Sequence, residues 1–277
     1  MEARPWEPRR ATKIAGAILG PVYRLVTRAQ FEGYENLPKK GGYLVVSNHS
    51  ASFDAVTMVF FFLKGHKGIR FAAKHTLFSA PILGPILKAM GHVPVYRQTK
   101  RAANIISQCS DAINHGAIIG IYPEGTTTRE AQYWPMTAKT GAAKIALNTG
   151  CPIIPVIAWG NQQFLPRYSL IPRFWRRPRI QVKALPPLNY EDLLSAYTSG
   201  DDQAPRALSD RIMAVITEEL ATMRGEEAPE RPYDMRIDGD PWGKVARAEL
   251  AKADLPEIRR QRRLSAKQRR AQKKQSR

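Results

Sequence analysis

Tyr43-Leu44-Val45-Val46-Ser47-Asn48-His49-Ser50-Ala51-Ser52-Phe53-Asp54 is followed by the apolar run Ala55–Leu63. Four apolar residues without a polar member, Tyr43 to Val46, read as a strand buried on both faces. Ala55–Leu63 reads as a buried helix, and Lys64-Gly65 supplies its stop. A histidine and an aspartate therefore fall on a strand-to-helix turn. Open α/β sheets keep their ligand crevices at such turns.

The five-residue spacing constrains how His49 and Asp54 can meet. On a regular helix five residues turn through about 500°, which leaves the two side chains roughly 140° apart. They meet only if His49 lies on the loop and the chain folds back to Asp54. Ser50 or Ser52 is a suitable N-cap for such a start. Histidine titrates nearest neutral pH and can take a proton from a hydroxyl; a carboxylate on its far nitrogen fixes the tautomer. Alone, the pair also fits a plain structural role, His49 closing the loop and Asp54 favouring the first helical turn.

Further elements follow outward from this turn. Thr12–Arg28 carries Ile14, Ile18, Val22, Leu25 and Val26 at helical spacing with cationic flanks, the pattern of an interfacial amphipathic helix or of an ordinary packed one. Residues 31–38 read as a short strand and turn. Ile69–Ala73, Gly91–Arg97, Ala117–Tyr122, Ile153–Ala158 and Ile180–Ala184 read as strands, with Pro155 pushing its strand toward an edge or bulge and the alternating last one an outer strand. Helical spacing marks Lys100–His115, Met136–Asn148, Leu188–Tyr197 and Pro205–Met223. Thr76–Leu87 is apolar but holds Pro81 and Pro85, a broken helix or loop. Strands alternating with helices predict an α/β fold with a mixed or parallel central sheet flanked by helices.

The chain has 277 residues, 43% of them hydrophobic, enough for one large domain with appendages. Its formal net charge of +19 is unevenly spread. Residues 255–277 hold ten Lys/Arg and one Glu, and residues 167–183 six Lys/Arg and no acid. Such patches suit anionic lipid or nucleic acid. Cys109 and Cys151 have no metal or redox spacing and read as reduced core thiols. No apolar run approaches roughly 18 residues, and the charged, Pro-broken first ten residues do not read as a secretory signal.

Three groups converge where strands end: Asn48-His49 with Asp54, then Arg97, then Glu124-Gly125-Thr126-Thr127-Thr128-Arg129. A base would stand beside arginines that bind phosphate bidentately and a glycine that lets a ligand approach the backbone. Glu124, an anion itself, reads as orienting Arg97 or Arg129 or accepting from a substrate hydroxyl. His92 reads as a wall residue.

These blocks, with Gly91–Arg97 and Ile153–Ile157, resemble the four signature blocks of the glycerolipid acyltransferases of the lysophosphatidic acid acyltransferase type, in order, over roughly residues 30–185. The resemblance implies that His49 deprotonates a lysophospholipid hydroxyl and Asp54 orients it. It implies that Arg97, Glu124, Gly125 and Thr126 hold the acceptor phosphate, and that the fourth block supports the acyl or thioester end. Acyl-CoA or an acyl carrier protein thioester would be the co-substrate, with no permanently bound cofactor and no metal. The family often has Arg directly after Glu-Gly-Thr; here Thr127 and Thr128 intervene, so part of the role of Arg129 passes to them. Lys139 adds positive charge at a helix start or is solvated.

The implied organisation is an amphipathic membrane-associating segment over residues 1–29, an acyltransferase domain over 30–224, and a charged tail over 225–277 that its composition predicts to be disordered. The acyl chain would lie against Phe60–Leu63 and Thr76–Leu87. The protein would sit peripherally on an anionic membrane, at the cytoplasmic face. The alternatives are another lysophospholipid or glycolipid acceptor, or a non-enzymatic membrane or nucleic-acid binding protein on the same fold. The tail lacks the interleaved aromatics of an RNA-recognition module, which disfavours nucleic acid. Oligomeric state is left open.

Overall fold

The computed structural model describes residues 4–95, 102–169 and 171–241. They fall in two compact units, residues 1–232 and 233–277. In the second, Arg236 pairs with Asp234 at 2.5 Å. The first carries all that follows. The basic tail over 255–277 lies outside the described residues, as do Tyr96 and Arg97.

Seven strands form one sheet in the order β1-β7-β6-β2-β5-β3-β4. They are β1 (Arg28–Glu32), β2 (Tyr43–Val46), β3 (Ile69–Lys74), β4 (Val93–Val95), β5 (Ile118–Ile121), β6 (Ile153–Trp159) and β7 (Arg179–Ala184). Every neighbouring pair is parallel except β6 with β7, so the sheet is mixed, as expected. The helices are α1 (Arg10–Val26), α2 (Asp54–Lys64), α3 (Leu83–Met90), α4 (Ala102–Asn114), α5 (Gly141–Thr149), the single turn α6 (Asn161–Phe164), α7 (Glu191–Thr198) and α8 (Ala204–Arg224).

Strand alternation divides the core between the faces. Leu44, Val46, Ile119, Ile153 and Ile157 pack with α4, α5 and α8. Tyr43, Val45, Ile118, Ile154 and Val156 pack with Met58, Phe61 and Phe62 of α2. The chain thus leaves the adjacent strands β2 and β5 toward opposite faces. That divergence opens a crevice at their C-terminal ends.

Several local expectations are corrected. The first helix gives way to β1 already at Arg28, because Thr27 closes the last turn with its amide and hydroxyl on the Tyr23 carbonyl. Pro155 lies in an inner strand, not at an edge. Its carbonyl accepts from the Leu185 amide at 2.8 Å, so its missing N–H faces β7 just beyond the ladder that begins at Val156 and Ala184. β7 is second from the edge, covered by β1. The helix expected from Met136 begins only at Gly141, because the Met136 and Lys139 amides bond to Glu124 and the Pro123 carbonyl. In the Pro-containing segment, α3 starts at Leu83 and carries Pro85 in its first turn, where a missing N–H costs no helical bond.

Candidate active site

His49 lies on the loop after β2, and Asp54 is the first residue of α2. The His49 Nδ1 is 2.9 Å from the Asp54 Oδ2. The same oxygen accepts the Ser50 and Ala51 amides at 2.7 and 2.8 Å, and Oδ1 accepts the Ser50 hydroxyl at 3.2 Å. Asp54 is fully buried. A buried carboxylate is stable only when its oxygens are bonded, and here the loop's own amides do this. Neither Ser50 nor Ser52 caps α2: the N-cap position is Phe53, without a side-chain bond. Instead Asp54 reaches back to the loop and folds it, which brings His49 over the carboxylate. The His49 side chain is 18% exposed, and its Nε2 is the ring nitrogen left for a ligand.

The third block holds the backbone of this histidine. The Glu124 Oε1 accepts the His49 amide at 3.0 Å, and the His49 carbonyl accepts the Thr128 amide at 2.8 Å. The Glu124 Oε2 accepts the Met136 amide at 3.1 Å. Burial pushes the Glu124 carboxyl up to about 8, against the lowering effect of its two amide donors. Glu124 and Thr128 are both buried, and the Thr128 hydroxyl donates to the Trp134 carbonyl at 2.6 Å. These two residues, expected to bind substrate, lie beneath the loop and shape it.

Gly125, Thr126 and Thr127 form the half-exposed part of the loop. Gly125 has φ +72, and a Cβ there would lie 3.1–3.4 Å from the end of the Lys139 side chain. Lys139 therefore stands against the third block, on the segment before α5. The Arg129 guanidinium lies 5.0 Å over the Tyr168 ring.

Aromatic packing fixes the remaining side of the histidine. The His49 ring stacks on Tyr122 at 4.1 Å, and Tyr122 on Phe71 at 5.6 Å. A Cβ at Gly120 would come within 2.6 Å of the Phe71 ring, so β5 needs glycine there. The Phe71 amide donates to the His92 Nδ1 at 2.9 Å, and burial lowers the His92 pKa to about 4. His92 is thus a neutral wall residue. Arg97, expected to hold the acceptor phosphate, lies outside the described residues.

Sequence reasoning left several residues aside. Asn48 bonds the Ala158 backbone through both side-chain atoms, at 2.8 and 3.0 Å, and so joins the first block to β6. The fourth block, Ile153–Ile157, is fully buried strand, and Ala158, the next residue of the same strand, carries this bond. Asn161 accepts from the Thr57 hydroxyl at 2.6 Å, behind Asp54 on α2. Arg167, counted as part of a surface patch, lies 4.3 Å over the Tyr133 ring, and its charge lowers the Glu124 pKa. Nothing in local spacing marks these partners, which are separated by about a hundred residues in two cases. Phe61 and Phe62 are buried in the core and cannot wall an acyl groove.

Fold and site together define an α/β protein with a His–Asp pair at the switch point of its sheet. Residues 28–159 match the family described as Acyltransferase. The chain is 30% identical over 212 residues to the 1-acyl-sn-glycerol-3-phosphate acyltransferase alpha of Mus musculus, covering 74% of this chain and 69% of that protein. It is 31% identical over 144 residues to a chloroplastic 1-acyl-sn-glycerol-3-phosphate acyltransferase of Brassica napus, covering 51% of this chain and 40% of that protein. The chain thus spans well under two thirds of the Brassica relative's length. The crystal structure of the LPA acyltransferase PlsC from Thermotoga maritima shares the fold, with a TM-score of 0.57 and 21% identity over 79% of this chain and 81% of that one. The chain belongs to the glycerolipid acyltransferase family, of the 1-acyl-sn-glycerol-3-phosphate acyltransferase type.

Proposed function

We propose that the protein transfers a fatty acyl group from an acyl thioester to the free sn-2 hydroxyl of lysophosphatidic acid, forming phosphatidic acid for phospholipid synthesis. The observation that carries this reading is the His49 ring, part-exposed and bonded to Asp54 through Nδ1, on a backbone held by Glu124 and Thr128 of the third block. Nε2 takes the hydroxyl proton, the oxygen attacks the thioester carbonyl, and the departing thiolate takes the proton back. Asp54 stabilises the imidazolium formed between these steps. Positioned proton transfer of this kind contributes about 10²–10⁴ in rate. Both substrates bind together, so no acyl-enzyme is formed.

The acceptor phosphate meets the Gly125 turn, the Thr126 and Thr127 hydroxyls, Lys139 and Arg97. Glu124 and Thr128 hold that loop in shape. The thioester comes from acyl-CoA or acyl carrier protein, and no cofactor is bound permanently.

The protein works peripherally on an anionic membrane, at its cytoplasmic face. Ile14, Ile18, Val22 and Leu25 of α1 are exposed, as are Ile82, Leu83 and Ile86 in and before α3, which packs on α1. Trp175 is 74% exposed on a turn that also contacts α1. Apolar exposure on this scale, flanked by cations, fits a helix lying in the lipid interface. Among the described residues no helix is long and apolar enough to cross a membrane.

Acyl transfer from a labelled thioester to lysophosphatidic acid in micelles tests the reading: wild type transfers label and His49→Ala, still folded, does not. A second reading keeps the chemistry and changes the acceptor to another lysophospholipid or a glycolipid. The two threonines that separate Thr126 from Arg129, and the Arg129 guanidinium over the Tyr168 ring, favour it. An acceptor panel separates the two by which lysolipid gives the highest kcat/KM.

A further inference from the structure

A second basic centre lies at the opposite end of the strands from His49. Tyr43, Ile118 and Ile69 are in register at the N-terminal ends of β2, β5 and β3, whereas His49 and Glu124 follow the C-terminal ends. At the N-terminal ends a cavity of about 370 Å³ opens between the N-terminal segment, β3 and the end of α4. Arg4, Glu7, Arg9, Arg70, Ala112 and His115 line it. Its volume falls at the small end of the roughly 300–1,000 Å³ of ligand sites.

The charges around this cavity do not cancel. Three guanidiniums face one carboxylate, and among the described residues none of the three is paired with a carboxylate. The Arg70 guanidinium donates to the Pro5 carbonyl at 3.1 Å, which anchors the segment without neutralising it. Burial and then the nearby Arg9 charge lower the Arg70 pKa. Burial lowers the Lys67 pKa, and the nearby Glu7 charge partly offsets this, so Glu7 shares its field with Lys67 as well as with the cavity. The His115 Nδ1 is 2.7 Å from the Asp111 carbonyl. α1 begins just after Arg9 with no capping side chain and no acid in its first turn, so its open amides add positive potential. Unpaired guanidiniums around a small opening repel one another, and an anion with several acceptor oxygens relieves that repulsion through bidentate bonds.

We propose that this cavity binds a phosphate-bearing anion, at a site separate from the one built around His49. The cluster of Arg4, Arg9 and Arg70 in a cavity of ligand size carries the assignment. The phosphate belongs either to a phosphomonoester lipid headgroup or to a soluble phosphate.

Calorimetric titration of the full chain with inorganic phosphate, at ionic strength held constant with chloride, tests the soluble arm. Vesicles containing phosphatidic acid or phosphatidylglycerol at matched surface charge test the lipid arm. Arg9→Gln removes one cation of the cluster, and Ala112→Glu adds a carboxylate without replacing either partner of the Arg70–Pro5 bond. Each variant is expected to weaken phosphate binding or the preference for phosphatidic acid by about tenfold, as loss of one charge-assisted contact would. Acyl transfer in detergent is expected to be unchanged. Loss in the titration alone assigns a soluble anion, and loss of the vesicle preference assigns a lipid headgroup. Wild type and both variants behaving alike in both arms would overturn the proposal.

Discussion

The Asp54 carboxylate accepts from the His49 ring and from two amides of the same loop, so its position is fixed before any substrate arrives. Asp54→Asn keeps the shape but loses the charge that stabilises the imidazolium; it should lower kcat by roughly 10²–10⁴ with the melting temperature little changed. Glu124 accepts two amides with two oxygens. Glutamine offers one acceptor and one donor there, so Glu124→Gln should cost about 1–3 kcal/mol by denaturant titration. The variant also tests a pH effect. The Glu124 carboxyl is raised from 4.5 to about 8, so between these values the folded chain holds a proton the unfolded chain has released. Its contribution is complete below 4.5 and lost as pH rises through 8. The wild-type advantage over Glu124→Gln should shrink between pH 5 and 8.5; a constant difference would contradict the shift. His49 with Asp54 was legible in the sequence because helix geometry left only one way for them to meet. The Glu124 partners were not, since backbone amides 75 and 12 residues away carry no side-chain signature.

Among elements, uniformly apolar runs were the most legible. β2, β5 and β6 are buried almost throughout, and no polar residue blurs their ends. Expectations slipped where a local rule met a tertiary partner. Pro155 marked an edge by the general rule, yet its missing donor falls just where the β7 ladder ends. Residues 136–140 have helical composition, but their amides serve the third block instead. The element most sensitive to a small change is β5. Gly120→Val would push the Phe71 ring, and with it Tyr122 and His49, out of register. We expect a drop in kcat of tenfold or more with a smaller change in KM, from misplacement of the base by a fraction of an ångström (roughly 10²-fold per 1 Å).

At the scale of the molecule, charge and exposed apolar surface carry the proposed membrane seat. Ile18 and Leu25 project from α1 with about two thirds of their surface exposed. Ile18→Glu with Leu25→Glu should weaken binding to anionic vesicles while turnover in detergent micelles is retained, because neither residue touches the His49 site. Removing residues 255–277, which carry a balance of +9, should weaken vesicle binding most at low salt, by about 1 kcal/mol per cation engaged. The mixed sheet was legible as an alternation of strands and helices. Its strand order was not, because order depends on which face each connection crosses. The central claim is that His49, held by Asp54, is the base for acyl transfer to lysophosphatidic acid. The most direct test is transfer of labelled acyl groups from a thioester in micelles by wild type and by folded His49→Ala. Transfer by the wild type that falls to background in the variant is the predicted result; equal transfer by both, or none by the wild type with either thioester donor, would contradict it.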